Sequence, residues 1–193
     1  MTPFTRVQGR FAVLDRADVD TDQIIPKQFL TRLERSGYGL AAFHGWRYRS
    51  DDTPDPAFPL NAPEARGAAF LVTGPNFGCG SSREHAVWAL RDMGFRAILA
   101  PSFADIFAAN CVNSGLLPAV VAEPVRQALL ARAASDRWSL AIDLERGVLV
   151  ASGFCQPFTV APRSRARLLA GLDAIGDTLR HESGIAAFER GWP

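Results

Sequence analysis

Ala68-Ala69-Phe70-Leu71-Val72 is followed, after Thr73-Gly74-Pro75, by Asn76-Phe77-Gly78-Cys79-Gly80-Ser81-Ser82-Arg83-Glu84-His85 and then Ala86-Val87-Trp88-Ala89-Leu90. The first run reads as a buried strand and the last as a helix. A glycine-rich turn between a strand and a helix points backbone N–H groups and the positive helix end at one spot, which suits an anion. This turn adds two hydroxyls, Ser81 and Ser82, and the guanidinium of Arg83. The combination fits a carboxylate substrate that has a proton to lose.

Competing readings of the turn differ in what they explain. Ser81-Ser82-Arg83-Glu84 matches the S-x-x-E capping box, in which Ser81 and Glu84 only satisfy helix amides. That leaves Gly78, Gly80, Arg83 and His85 without a reason. A dinucleotide fingerprint needs a third glycine where Arg83 stands. The P-loop and the nucleophile elbow are absent. Ser81 and His85 are four apart, so a Ser–His dyad on one helix face stays open as a hydrolase alternative.

Outward from the turn, strand and helix alternate. Strands at 68–73, 96–100 and 116–121 are predicted with helices at 82–93, 102–114 and 123–134. Pro101-Ser102 with Asp105 opens the second helix, and Asn113-Ser114-Gly115 closes it. The pattern implies βαβ units and a partly parallel sheet in an α/β fold. Val7–Leu14 reads as a first strand, and 138–143, 147–151 and 154–160 as later short ones. Helical spacing marks Phe29–Leu33 and Leu40–Phe43. Residues 50–67, with Pro54, Pro56, Pro59 and Pro63, read as a long irregular excursion. From Pro162 onward Leu168, Leu169, Leu172, Ile175 and Leu179 form one apolar stripe, read as a helical segment at about 162–190 packed on the core.

The 193 residues suit one domain. A net charge of +1 gives no case for a nucleic-acid groove or an anionic membrane surface. No apolar run approaches the ~20 residues of a membrane span, and the first residues lack a signal-peptide core, so a cytoplasmic protein is expected. Cys79, Cys111 and Cys155 are widely spaced and make neither a disulfide framework nor a zinc site. Cys111 and Cys155 read as buried free thiols. Asp18, Asp20 and Asp22 fail the calcium-loop pattern, because Gln23 and Phe29 stand where a glycine and an acid belong. Asp15 and Asp18 read as turn residues, and Asp20-Thr21-Asp22 stays open as a site loop.

Asn76 to Ala86 resembles the signature of the aconitase superfamily's swivelling domain. Asp20-Thr21-Asp22-Gln23-Ile24-Ile25-Pro26 is similar to its second signature. Pro101-Ser102-Phe103-Ala104-Asp105-Ile106-Phe107 with Leu116-Leu117-Pro118 is similar to a third. In this order and length they resemble the family of isopropylmalate isomerase small subunits. The resemblance implies a swivelling layered α/β domain over residues 1–193. It implies a hydro-lyase of leucine biosynthesis that interconverts 2- and 3-isopropylmalate through 2-isopropylmaleate. The same motif serves homoaconitase and related malate-homologue dehydratases. A four-iron, four-sulfur cluster would be supplied by a separate large subunit, with no metal held by this chain. Ser81 maps onto the catalytic base. Ser82 and Arg83 map onto substrate contacts, with Gly78, Gly80, Glu84 and His85 in support. Asp20, Thr21 and Asp22 map onto a loop facing the site. The loop after Pro26 is where the resemblance puts substrate choice. Phe29 and Leu30 would form an apolar wall there, and Arg32 a second carboxylate contact.

Overall fold

The computed structural model describes residues 1–30 and 36–192. Its frame is a seven-stranded mixed sheet in the order β4-β3-β2-β1-β5-β6-β7. Strand β1 (Arg6–Leu14) changes partner halfway. Arg6–Arg10 pair antiparallel with β5 (Ser139–Asp143), and Phe11–Leu14 pair parallel with β2 (Phe70–Thr73). Strands β3 (Ala97–Ala100) and β4 (Leu117–Val120) continue the parallel half. Strands β6 (Val148–Ala151) and β7 (Phe154–Pro157) continue the antiparallel half. Val120 and Thr159 exchange backbone hydrogen bonds of 2.9 and 2.8 Å, so the two ends of the sheet meet and the sheet curls on itself. That contact also protects the edge strand β4, where Pro118 is tolerated.

The short parallel strands are apolar almost throughout because both their faces are covered. Leu71, Ile98 and Ala100 join Ala12 and Leu14 in one core. Phe70, Val72, Ala97 and Leu99 join Phe11 in the other. Helices α3 (Glu84–Asp92) and α4 (Asp105–Asn113) cover the first core. Helices α5 (Glu123–Ala134) and α6 (Pro162–Ala170) reach the second through Val125, Leu129 and Leu168. Strands β5 and β6 place Leu140, Ile142 and Leu149 in the second core. Each of these fully buried side chains contributes roughly 1.5–3 kcal/mol of hydrophobic burial. The architecture is the layered α/β fold expected from the alternation of elements.

Several expected boundaries move. Helix α3 begins at Glu84 and α4 at Asp105, each two or three residues later than predicted. Lys27–Phe29 and Tyr38–Leu40 form one-turn 3-10 pieces, and the short helix α2 (His44–Arg47) begins just after the expected Leu40–Phe43. The helix expected over Phe29–Leu33 lies mostly outside the described residues. The irregular excursion holds two more, Pro59–Asn61 and Pro63–Ala65. After α6 the chain turns at Gly171, in left-handed conformation, and continues as α7 (Ala174–Leu179) and α8 (Glu182–Gly191). Asp173 accepts the Gly176 amide and restarts the helix. The expected apolar stripe is therefore cut. Leu168 is buried, whereas Ile175 and Leu179 are 71% and 58% exposed. Cys111 is buried as expected, but Cys155 is exposed on β7. The strand alternates, with Phe154 and Gln156 partly buried on one face and Cys155 and Pro157 exposed on the other.

Candidate active site

Loops that follow the carboxyl ends of β1, β2 and β3 meet on one edge of the parallel half, where open α/β sheets place their ligands. Two isolated parallel bridges, Asp20 to Cys79 and Phe77 to Phe103, join them beyond the strand ends. The short helix α1 (Thr21–Ile24) lies in the first loop. It is closed by a capping box of its own. Asp20 accepts the Asp22 amide at 2.5 Å, and the Gln23 side chain accepts the Asp20 amide at 3.0 Å.

Asp20, Thr21 and Asp22 each hold a different part of the glycine turn. Thr21, fully buried, donates its amide to the Cys79 carbonyl (2.9 Å) and its hydroxyl to the Ser81 carbonyl (2.8 Å). The Asp22 carboxylate is in direct ion-pair contact with the Arg83 guanidinium. The Asp20 carboxylate occupies the space that a side chain on Gly80 would need, and Gly80 has φ +85°. Gly78, at φ +78°, packs its Cα against the Phe107 ring so closely that any Cβ would overlap it. These two glycines are required both by backbone conformation and by close approach.

From the other side Ser102 and Asn76 secure the turn. The Ser102 hydroxyl accepts the Asn76 amide at 2.8 Å, and its carbonyl accepts the Phe77 amide at 3.1 Å. Asn76 donates its side-chain N–H to Asp18 at 2.8 Å. Ser102 is therefore a tie between loops and not the helix start it resembles in sequence. Asn76, Ser102 and Phe107 lie within the quoted signatures, but the sequence reading gave them no role at the site. Their only local signal is Asn76 before Phe77-Gly78, a residue that tolerates the left-handed conformation it adopts here (φ 56°).

The capping-box reading of Ser81 and Glu84 is overturned. Arg83 is the residue before α3, is extended (φ −136°, ψ 112°), and no side chain caps the helix. The ion pair to Asp22 draws Arg83 out of helical conformation, so Ser81 and Ser82 stand on an exposed connection. Ser81 and His85 consequently share no helix face. The His85 ring lies 5.4 Å from Tyr38 and 4.7 Å from Trp88, in an aromatic cluster. Glu84 is exposed at the first helical position, where an acid favours the helix dipole. Among the described residues the amides of 82–85 find no acceptor. Exposed serines, free helix-terminal amides and a held guanidinium thus lie within residues 81–85, a stretch that can receive a carboxylate and stabilise charge that develops on it.

Other expected site residues are placed elsewhere. Phe29 packs against His44, with ring centroids 4.9 Å apart. Phe29 and Leu30 lie against the first core. Arg32 lies outside the described residues. Asp15 ion-pairs with Arg126, which also holds Glu123 at 2.7 Å. Cys79 is inside the turn. Burial first, then the charges of Asp20 and Asp18, raise its pKa, so it stays a thiol at neutral pH and is no ready nucleophile. Among the described residues no three His, Cys, Asp or Glu side chains gather to hold a metal ion. Two cavities of about 450 and 590 Å³ include no residue of the turn.

The aconitase C-terminal domain family matches residues 1–124. The 3-isopropylmalate dehydratase small subunit of Geobacillus kaustophilus is 52% identical over 191 residues, covering 98% of this chain and 97% of that protein. The protein of the same name from Shewanella sp. (strain W3-18-1) is 50% identical over 199 residues, covering 100% and 99%. The crystal structure of 3-isopropylmalate dehydratase from Methanocaldococcus jannaschii superposes with a TM-score of 0.67 at 27% identity, covering 96% of this chain and 99% of that one.

Proposed function

The chain belongs to the aconitase C-terminal domain family and, within it, to the 3-isopropylmalate dehydratase small subunits, and on that premise we propose that it is the small subunit of a hydro-lyase that interconverts 2- and 3-isopropylmalate in leucine biosynthesis. Residues 1–193 act as one swivelling domain that closes over a large subunit, in the cytoplasm. Among the described residues no helix is long and apolar enough to cross a membrane. The large subunit carries the iron–sulfur cluster. When bound there, that cluster supplies a Lewis acid for the departing hydroxyl.

The observation that carries this reading is the display of Ser81. Its carbonyl is fixed by the buried Thr21 hydroxyl, and its side chain stands beside free amides with Arg83 two residues on. Ser81, as its alkoxide, takes the proton from the carbon next to a carboxylate, and the hydroxyl leaves the neighbouring carbon as hydroxide to give the alkene 2-isopropylmaleate. The proton on Ser81 and the hydroxide together make up the water lost. Readdition of water in the opposite sense returns the proton from Ser81. A serine hydroxyl serves as a base only where its alkoxide is stabilised, and helix-terminal amides with a nearby cation supply that. Negative charge grows on the substrate carboxylate as the proton leaves. Arg83 meets it with a planar fork, and Ser82 donates a further hydrogen bond. Asp22 holds that fork in place until substrate arrives.

Substrate choice is assigned to the loop after Pro26 on its sequence, with Phe29 and Leu30 as the apolar wall and Arg32 as a second carboxylate contact. Phe29, packed on His44, has to turn toward Ser81 for this. The exposure of Ser81 and Ser82 supports a site completed by another chain.

Reconstitution tests the reading. The purified chain alone should not act on 2-isopropylmalate, and addition of the large subunit should give turnover. In the assembled enzyme Ser81→Ala should lower kcat by roughly 10²–10⁴-fold, the range for loss of a positioned base, with assembly unchanged. A near-native rate would leave Ser81 without a catalytic role.

A further inference from the structure

A groove of about 590 Å³ crosses the outer face of the antiparallel half of the sheet. Arg6 and Arg10 line it from β1, Arg132 from α5, and Arg137 with Trp138 from the turn before β5. Among the described residues none of these four guanidiniums has a carboxylate within 4.0 Å. One acid, Asp136, also lines the groove and keeps its charge. Asp136 accepts the Trp138 indole N–H at 2.8 Å, and Asp143, opposite Arg6 in register, accepts the Arg146 amide at 2.9 Å. Arg10 donates one N–H to the Glu64 carbonyl at 3.2 Å.

Arg132 carries the argument furthest. The residue is only 8% exposed. Nη1 donates to the Ser152 carbonyl at 3.1 Å, and the guanidinium carbon lies 5.2 Å from the Phe154 ring centroid. Nε is buried with no partner. A buried cation without a counter-charge is unfavourable, and a bound anion removes that cost. Chain net charge is only +1, so four unpaired arginines in one concavity are a local concentration and not a general excess.

We propose that this groove binds a small anion carrying a diphosphate, with Arg132 as the buried anchor and Arg6, Arg10 and Arg137 on the outer oxygens. Guanidinium forks match phosphate oxygens in bidentate geometry. Four cations against the single acid Asp136 still call for more negative charge than one carboxylate brings. A groove of this volume encloses a small molecule and not a folded surface. Inorganic pyrophosphate and a nucleoside diphosphate share this chemistry, and Trp138 gives the second a ring to lie against.

Calorimetric titration of the full chain with pyrophosphate and with ADP, at one fixed ionic strength, tests the proposal. Saturable one-to-one binding of at least one of them is expected. Tighter binding of ADP would identify the nucleotide as the source, and equal or tighter binding of pyrophosphate the inorganic ion. The doubly substituted Arg6→Ala/Arg137→Ala chain, altered only at exposed positions, should bind at least tenfold more weakly, as should Arg132→Met. Ser81→Ala should bind as the parent does. The proposal is overturned if neither ligand binds saturably or if the double variant keeps parental affinity. It is equally overturned if Ser81→Ala removes binding, which would put the anion at the glycine turn. Loss of binding upon addition of the large subunit would make the groove a protein interface and also overturn it.

Discussion

Arg83 and Arg132 are buried to similar depth and are treated in opposite ways. The Arg83 side chain is 12% exposed and pairs with Asp22 from a neighbouring loop. Arg132 is 8% exposed and has only a carbonyl and an aromatic face. The contrast follows the sheet. Its parallel half is covered on both faces, and the loops at its carboxyl ends hold one another through Thr21, Asp22, Asn76 and Ser102. Its antiparallel half carries the groove on its outer face, and the charges there are left to solvent or to a ligand. A cation with a partner in the same chain keeps its orientation before substrate arrives, which is preorganisation. A cation without one is stabilised only by what binds it.

The largest effect on stability is expected where the parallel half is tightest. Gly78→Ala puts a methyl into the Phe107 ring at a positive φ. Overpacking and left-handed strain together should cost about 3 kcal/mol, read as a lowered midpoint in chemical denaturation, with turnover of the reconstituted enzyme lost as well. Asp22→Asn breaks the pairing that defines the contrast. Because Asp22 is 40% exposed, the stability cost should be about 1–2 kcal/mol. Steady-state kinetics of the reconstituted enzyme should show a raised KM and a lowered kcat, since Arg83 is then loosely held. Arg132→Met removes the unpaired charge and keeps the volume. Its denaturation midpoint should stay within about 1 kcal/mol of the parent or rise, as when buried charges are replaced by apolar groups. A large loss there would mean that Arg132 is already compensated, and the contrast would fail.

The smallest effect concerns Glu123. Hydrogen bonds from Arg126, then Gln127, lower its carboxyl from 4.5 to about 2 in the folded chain. A carboxyl lowered on folding contributes stability that is complete above its unfolded value and lost as pH falls through the folded one. The difference between the parent and Glu123→Gln should therefore be present at neutral pH and fade between about pH 4.5 and 2. Glu123 is about half exposed, so it should remain under about 1 kcal/mol and shrink in salt.

Much of the parallel half was legible because its strands are buried on both faces. Phe70-Leu71-Val72 and Ala97-Ile98-Leu99-Ala100 read as apolar runs, and the helices between them carry their own turn signals. The change of partner inside β1 was not read, although the strand passes from polar–apolar alternation over Arg6–Arg10 to the apolar run Phe11–Leu14 where the partner changes. The first residues of α3 were misplaced for a tertiary reason. Ser81 and Glu84 have the local chemistry of a capping box, but Asp22 and Thr21, distant in sequence, claim Arg83 and the Ser81 carbonyl. The real capping box, Asp20 with Gln23, begins with an acid. Of the candidate site, Ser81, Ser82, Arg83, Asp20, Thr21 and Asp22 are brought together. Phe29 and Leu30 are not, because the same apolar side chains that suit a substrate wall also suit the core against which they pack. The C-terminal stripe failed because spacing cannot show that Gly171 and Asp173 break and restart the helix.

The most direct test is a crystal structure of the reconstituted two-subunit enzyme with a substrate analogue. Ser81 Oγ should lie within about 3.5 Å of the carbon that loses its proton, the approach of a reactive geometry, with Arg83 turned onto the adjacent carboxylate. A structure in which Ser81 faces solvent and a base from the large subunit occupies that position would contradict the account.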